Sequence, residues 1–296
     1  MRRLLAVLAL LLLPGCAPVA VAPEPSAAPS ATGEPTSTPW PSVPPVSSPS
    51  ATPTVEPTST APADPCGAPV VCTTADSTAV LTIKTPGVFD GRGHHVPNIV
   101  VQASNVTVEN FVVSEGAQTG ILSVGANNVI QDNDISAIHY GTDDLDAMRF
   151  FGNNVRILHN RIHNLASGPI KDAHPDCVQS WASKSTGTSS DVEIGWNTCN
   201  PGDTQGHGQC IMAEGPGSTD GGGGATGTSA RWNIHDNVCT TSANQSISLR
   251  DIDDVTVVGN TFSGANAKAV QIVDGSTGVT FSGNVLGPNV GALSGD

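Results

Sequence analysis

Asn154-Val155-Arg156-Ile157-Leu158-His159-Asn160-Arg161-Ile162 is the stretch whose reading decides the fold. Val155 and Ile157 are two residues apart, so in an extended chain both side chains point to one face and Arg156 to the other. The phrase can be written N/D-V-x-apolar-x-x-Asn-x-apolar, and it comes back. It returns as Asp191-Val192-Glu193-Ile194 with Asn197 and Cys199, and as Arg231-Trp232-Asn233-Ile234 with Asn237 and Cys239. Asp254-Val255-Thr256-Val257 follows with Asn260 and Phe262, and a last copy ends at Asn284 and Leu286. Looser copies begin at Asn105 and Asn127.

A second phrase alternates with the first. It reads Gly120-Ile121-Leu122-Ser123, Ala147-Met148-Arg149-Phe150, Cys177-Val178-Gln179-Ser180, Cys210-Ile211-Met212-Ala213, Ser246-Ile247-Ser248-Leu249 and Ala269-Val270-Gln271-Ile272. Successive copies are 27, 30, 33, 36 and 23 residues apart. A unit of this size with two strands and variable insertions cannot bury its apolar face alone, so units must stack. The expectation is an all-β chain wound as a single-stranded parallel β-helix of about seven coils. Ile121, Met148, Val178, Ile211, Ile247 and Val270 should form one inward stack at the ordinary strand spacing of about 4.8 Å. The recurring Asn fits a turn position, where it tolerates left-handed backbone and bonds its neighbour on the next coil. A β-sandwich would show hairpin signals and even strand spacing, and neither is visible.

The cysteines follow the same register. Cys177 and Cys210 hold equivalent places in the second phrase on consecutive coils, as Cys199 and Cys239 do in the first. Stacked neighbours have Cα atoms about 5 Å apart, inside the disulfide window. This predicts Cys177–Cys210 and Cys199–Cys239, with Cys66–Cys72 as a local loop; reduced cysteines filling the interior as small hydrophobes are the alternative.

Working outward, residues 65–296 are assigned to the β-helix domain and residues 1–64 to something else. Arg2 and Arg3 precede an apolar run, Leu4 to Leu13, which is too short to span a bilayer and reads as a signal peptide over 1–15. Leu13-Pro14-Gly15-Cys16 resembles the lipobox of bacterial lipoproteins, which implies that Cys16 is lipidated and becomes the mature N-terminus. Residues 16–64 are dominated by Pro, Ser, Thr, Ala and Val, a linker that cannot bury enough apolar surface to fold. The expectation is an exported protein, lipid-anchored to the outer face of the cell membrane and otherwise monomeric. A formal net charge of −14 excludes a general electrostatic attraction to nucleic acid or anionic lipid.

Phe89-Asp90-Gly91-Arg92-Gly93 leading into Asn105-Val106-Thr107-Val108-Glu109-Asn110-Phe111 resembles the opening coils of right-handed parallel β-helix proteins of the pectate-lyase-like superfamily. His174-Pro175-Asp176-Cys177-Val178-Gln179 and Gln209-Cys210-Ile211-Met212-Ala213-Glu214-Gly215 resemble a group of exported actinobacterial members. The resemblance covers roughly residues 80–290. It implies the fold, whereas the superfamily spans lyases, hydrolases, epimerases and non-catalytic adhesins.

Strand alternation places two columns on the outer face of the second phrase: Leu122, Arg149, Gln179, Met212, Ser248, Gln271, and Val124, Phe151, Trp181, Glu214, Arg250, Val273. A Trp among polar groups suits a polysaccharide or cell-wall glycan, with Trp181 stacking on a ring and Arg149, Gln179 and Arg250 reading carboxylates and hydroxyls. Lys171, His174, Asp176 and Glu214 are the candidate catalytic residues. A uronate lyase needs its substrate carboxylate neutralised, by Ca²⁺ on Asp176 and Glu214, and a base such as Lys171, Arg149 or Arg250. An inverting glycoside hydrolase needs two carboxylates about 6.5–9.5 Å apart, for which Asp176 and Glu214 are the candidates. A His174–Asp176 acid/base pair is the third option. Against these, Asp176 can simply cap a turn, and Glu214 with Arg250 can be an exposed ion pair worth about 0–1 kcal/mol. The leading expectation is a lyase-like enzyme on an acidic glycan, with a non-catalytic glycan-binding scaffold as the alternative.

Overall fold

The computed structural model describes residues 70–295 apart from 141–144, 166–172, 203, 205 and 220–222. The leader and linker expected over 1–64, with Cys16, Cys66 and Lys171, lie outside the described residues. Every regular element described is a β-strand, and the strands form three parallel sheets of nine, eight and nine members. The chain visits the first sheet, crosses to the second, then the third, and returns to the first one level up.

Each of the eight second-sheet strands lies between a first-sheet and a third-sheet strand, which makes eight complete coils. That is one more than the repeats suggested. The additional coil lies at the start, where Gly87 pairs with Val106 across only nineteen residues, below the shortest recognised repeat. Each coil also holds a third strand that the repeats did not resolve as separate. It is the two- to four-residue piece after the recurring Asn, such as Arg161–His163 and Val238–Thr241.

The inward stack holds as expected. Ile121, Met148, Val178, Ile211, Ile247 and Val270 are register partners in turn. All six are at most 2% exposed, each contributing about 1.5–3 kcal/mol by burial. Trp232 enters the same core because its indole N–H donates to the Ser189 carbonyl at 2.9 Å, which removes the cost of burying that donor.

The recurring asparagines form a continuous internal ladder. Asn160 Oδ1 accepts from the Asn133 backbone N–H at 3.1 Å and from its Nδ2 at 3.0 Å. Asn197 does the same for Asn160, Asn237 for Asn197, Asn260 for Asn237 and Asn284 for Asn260. The left-handed residue is the one before each rung, not the Asn itself: His159, Trp196 and Asp236 have φ of 55°, 55° and 52°. That kink turns the next side chain inward, so the ladder amide is buried.

The disulfides correct the expected pairing. The register is right, since Cys199 and Cys239 are stacked partners. The bonds instead run across a coil, Cys177–Cys199 and Cys210–Cys239, with Cα atoms 6.0 and 5.8 Å apart. Stacked cysteines carry parallel Cα–Cβ vectors at about 4.8 Å, beyond the usual 3.5–4.5 Å between Cβ atoms. Cysteines facing each other from the third and second sheets converge. Cys72 is disulfide-bonded, while its expected partner Cys66 is outside the described residues.

Candidate functional site

The outer face of the third sheet carries both predicted columns. Arg149 pairs in register with Gln179 and Gln179 with Met212, while Trp181 pairs with Glu214 and Glu214 with Arg250. Two of the concavities on this face hold the predicted site residues.

The first, of about 420 Å³, is lined by Val80, Val100, Leu122, Arg149, Phe151 and Trp181, with Asn98, Ala117, Gln118 and Thr119. The Trp181 ring is fixed from two sides. Phe151 meets it edge-on at 4.7 Å between centroids, and the Arg149 guanidinium lies 5.4 Å from its centre. Arg149 was expected to read a substrate carboxylate. Its Nε instead donates to Asp146 Oδ2, and that carboxylate is fully buried. Asp146 Oδ1 meanwhile accepts from the Asp176 backbone N–H at 3.1 Å. The cation is thus matched by an anion of its own strand.

The second concavity, of about 250 Å³, is lined by His174, Gly206, His207, Gln209, Met212, Ala243, Asn244, Gln245 and Arg250. His174 and His207 are both exposed, with ring centroids 5.8 Å apart. Local turns bring them together. Pro175 follows His174, and the Asp176 N–H donates back to the His174 carbonyl at 2.8 Å. The other ring rides on a turn closed by the His207 N–H to the Thr204 carbonyl and the Gly208 N–H to Thr204 Oγ1. Gly208 is required there, because a Cβ would sit 2.7 Å from Thr204 Cγ2. Arg250 is anchored through Nη1 to Asp274 at 3.2 Å. Asp274 also takes the Thr219 backbone N–H, which with Arg250 holds its carboxyl below the ordinary range.

Asp176 is fully buried and its Oδ1 accepts from the Gln209 N–H at 2.8 Å, so it repeats on its coil what Asp146 does one coil earlier. Its register partner is therefore Gln209, five residues before Glu214, which places the two carboxylates on the order of 15 Å apart along the strand direction. That is too far for the hydrolase pair and too far to share one Ca²⁺. Among the described residues no three His, Cys, Asp or Glu side chains gather to hold a metal. Glu214 is buried beside the turn that follows it, with Ser218 Oγ 3.5 Å from Oε1. Gln179 lies between the two concavities with its Nε2 on Met212 Sδ at 3.6 Å.

The structure thus brings together His174 and Arg250 in one groove and Arg149 and Trp181 in the other. His207, Asp146 and Asp274 fall outside the repeated phrases and carry no motif that marks them in the sequence. Position alone marks Asp146, which stands in the same column as Asp176, on the same strand as Arg149.

The sequence matches the family model described as "Right handed beta helix region" over residues 98–294. No curated protein sequence matches it. Among solved structures it is similar to a mutant tailspike protein of E. coli bacteriophage HK620 in complex with a pentasaccharide. That match has 12% identity and a TM-score of 0.40, covering 74% of this chain and 45% of that one. It is also similar to an alginate lyase from Paenibacillus sp., at 11% identity and a TM-score of 0.28, covering 76% of this chain and 97% of that one. A third is the A-module of an Azotobacter vinelandii mannuronan C-5 epimerase, at 12% and 0.29, covering 73% and 76%. The chain spans about half the length of the tailspike chain. With well over half of its 296 residues inside the family model, the chain belongs to the right-handed β-helix family.

Proposed function

We propose that the chain acts on an acidic glycan bound along the outer face of the third sheet, and that it cleaves it by β-elimination in the groove between His174 and His207. The observation that carries this reading is the content of that groove: two exposed imidazoles and a guanidinium converge with the side chains of Gln209 and Gln245. Elimination from a uronate needs these parts. Arg250 neutralises the carboxylate, which acidifies the neighbouring C–H. One imidazole takes that proton, the C–O bond at the β carbon breaks, and the other imidazole, protonated, gives its proton to the leaving oxygen. Trp181 holds a neighbouring sugar ring by stacking. The chain is lipid-anchored through Cys16 at the outer face of the membrane, and the linker carries the β-helix to its glycan. Loss of labelled fatty acid and release of the protein in Cys16→Ser would support the anchor, and an unchanged membrane fraction would refute it.

The full chain, incubated with a panel of polyuronates and acidic heteroglycans, should yield products with an unsaturated non-reducing end. His174→Ala and His207→Ala should each lower the rate by about 10²-fold or more without changing thermal stability, because both rings are exposed. New reducing ends without unsaturation would replace elimination by hydrolysis. Binding with no product would leave a glycan-binding scaffold, and neither binding nor product would end the glycan reading.

A further inference from the structure

The two grooves on the third-sheet face differ in chemistry, and the difference bears on which glycan fits. Around Trp181 the walls are Val80, Val100, Leu122 and Phe151. Among the described lining residues the cation is Arg149, 9% exposed and bonded to the fully buried Asp146 carboxylate. Among the described residues, that cation is matched more closely than Arg250, whose side chain is 18% exposed and whose Nη1 lies 3.2 Å from a partly exposed Asp274, so a uronate is better served in the second groove. Aliphatic walls do not bond to sugar hydroxyls, and a hydroxyl pressed against them loses its water for nothing in return. The polar residues sit together on one side, where Asn98 Nδ2 donates to the Ala117 and Thr119 carbonyls, at 3.2 and 2.6 Å. A ring on Trp181 that faces Leu122 and Val100 must present carbon there.

Building on the glycan reading above, we propose that this groove is a subsite for a neutral, O-acylated sugar. The methyl end of the acyl group packs on Leu122 and Val100, its carbonyl points to the polar side, and the ring lies on Trp181. The volume of about 420 Å³ has room for a hexose with such a substituent. The substrate class is then a heteroglycan that places an acylated neutral sugar near a uronate, the uronate going to the Arg250 groove. A homopolymer of uronates meets only one of the two grooves on its own terms.

The test measures binding of the full chain to a panel of acidic heteroglycans, each offered native and after alkaline de-O-acylation. Tryptophan fluorescence and affinity electrophoresis serve as readouts, so that cleavage is not required. Native polymers should bind about tenfold tighter or more, the discrimination that one small apolar group supports in a fitted pocket. Leu122→Gln, on a half-exposed outward side chain, should shrink that preference while leaving the melting temperature in place. Equal or tighter binding of the de-acylated forms would overturn the subsite and leave the glycan reading standing. Binding of neither form across the panel would overturn both.

Discussion

Arg149 shows how much a single contact changes a residue's meaning. Beside a tryptophan on an outward column it reads as a carboxylate receptor, yet its Nε is bonded to Asp146 and its guanidinium carbon lies over the Trp181 ring, 5.4 Å from the centroid. Asp146 is the residue on which this corner depends, because its other oxygen accepts the Asp176 N–H. Asp146→Ala would take the carboxylate from a buried guanidinium and remove one of the two acceptors of the Asp176 N–H. We expect a loss of about 3 kcal/mol or more in urea unfolding, together with weakened binding at Trp181. A loss below about 1 kcal/mol would mean that Arg149 finds other partners. Trp181 and His174 were visible in the sequence because their residue types are rare in such a face. The Asp146–Arg149 bond was not, since a pair three apart on a strand ordinarily points to opposite faces. Here the two side chains nonetheless meet, in a strand buried along its whole length.

The asparagine ladder is the clearest case in which a repeated letter became a structural element. Asn197 lies at its middle, 4% exposed, taking two bonds from Asn160 and giving two to Asn237. Asn197→Ala removes acceptor and donor at once and leaves the Asn160 N–H unsatisfied, so a loss of about 3 kcal/mol is expected from several unmade buried bonds. Asn197→Asp keeps the acceptor and should cost less at neutral pH. The ladder was legible because its spacing from the preceding Val-x-apolar strand never varies. The disulfide pairing was less so. Repeats report which residues stack, while bonding depends on which side chains converge across the coil. Peptide mapping without reduction should recover Cys177 with Cys199 and Cys210 with Cys239. Recovery of Cys177 with Cys210 would restore the stacked arrangement. Each bridge closes a loop of a few tens of residues and is worth about 3 kcal/mol in the chain-entropy account.

Among the described residues, four carboxyls are held below their ordinary range, and they are spread along the β-helix. Asp76 is lowered first by the His95 N–H and then by His94, and Asp191 by Arg231. Glu193 is lowered by Arg156 and then His235, and Asp274 by the Thr219 N–H and then Arg250. Depressed folded values mean that the stabilisation is complete above the unfolded range of about 4 and is lost as pH falls through the folded values. The melting temperature should therefore show no loss from these groups between about pH 5 and 7 and drop below about pH 4. A maximum near pH 3 would contradict these pairings. The turn that follows a first-sheet strand carries Trp196, 45% exposed and stacked on His159 at 5.0 Å, while the third sheet carries Trp181 in its groove. The two tryptophans give the central claim its most direct measurement, hydroxyl-radical footprinting of the full chain with and without a bound acidic glycan. A glycan lying along the third sheet protects Trp181 and Met212 and leaves Trp196 unchanged; protection of Trp196 while Trp181 oxidises as freely as before would place the glycan elsewhere.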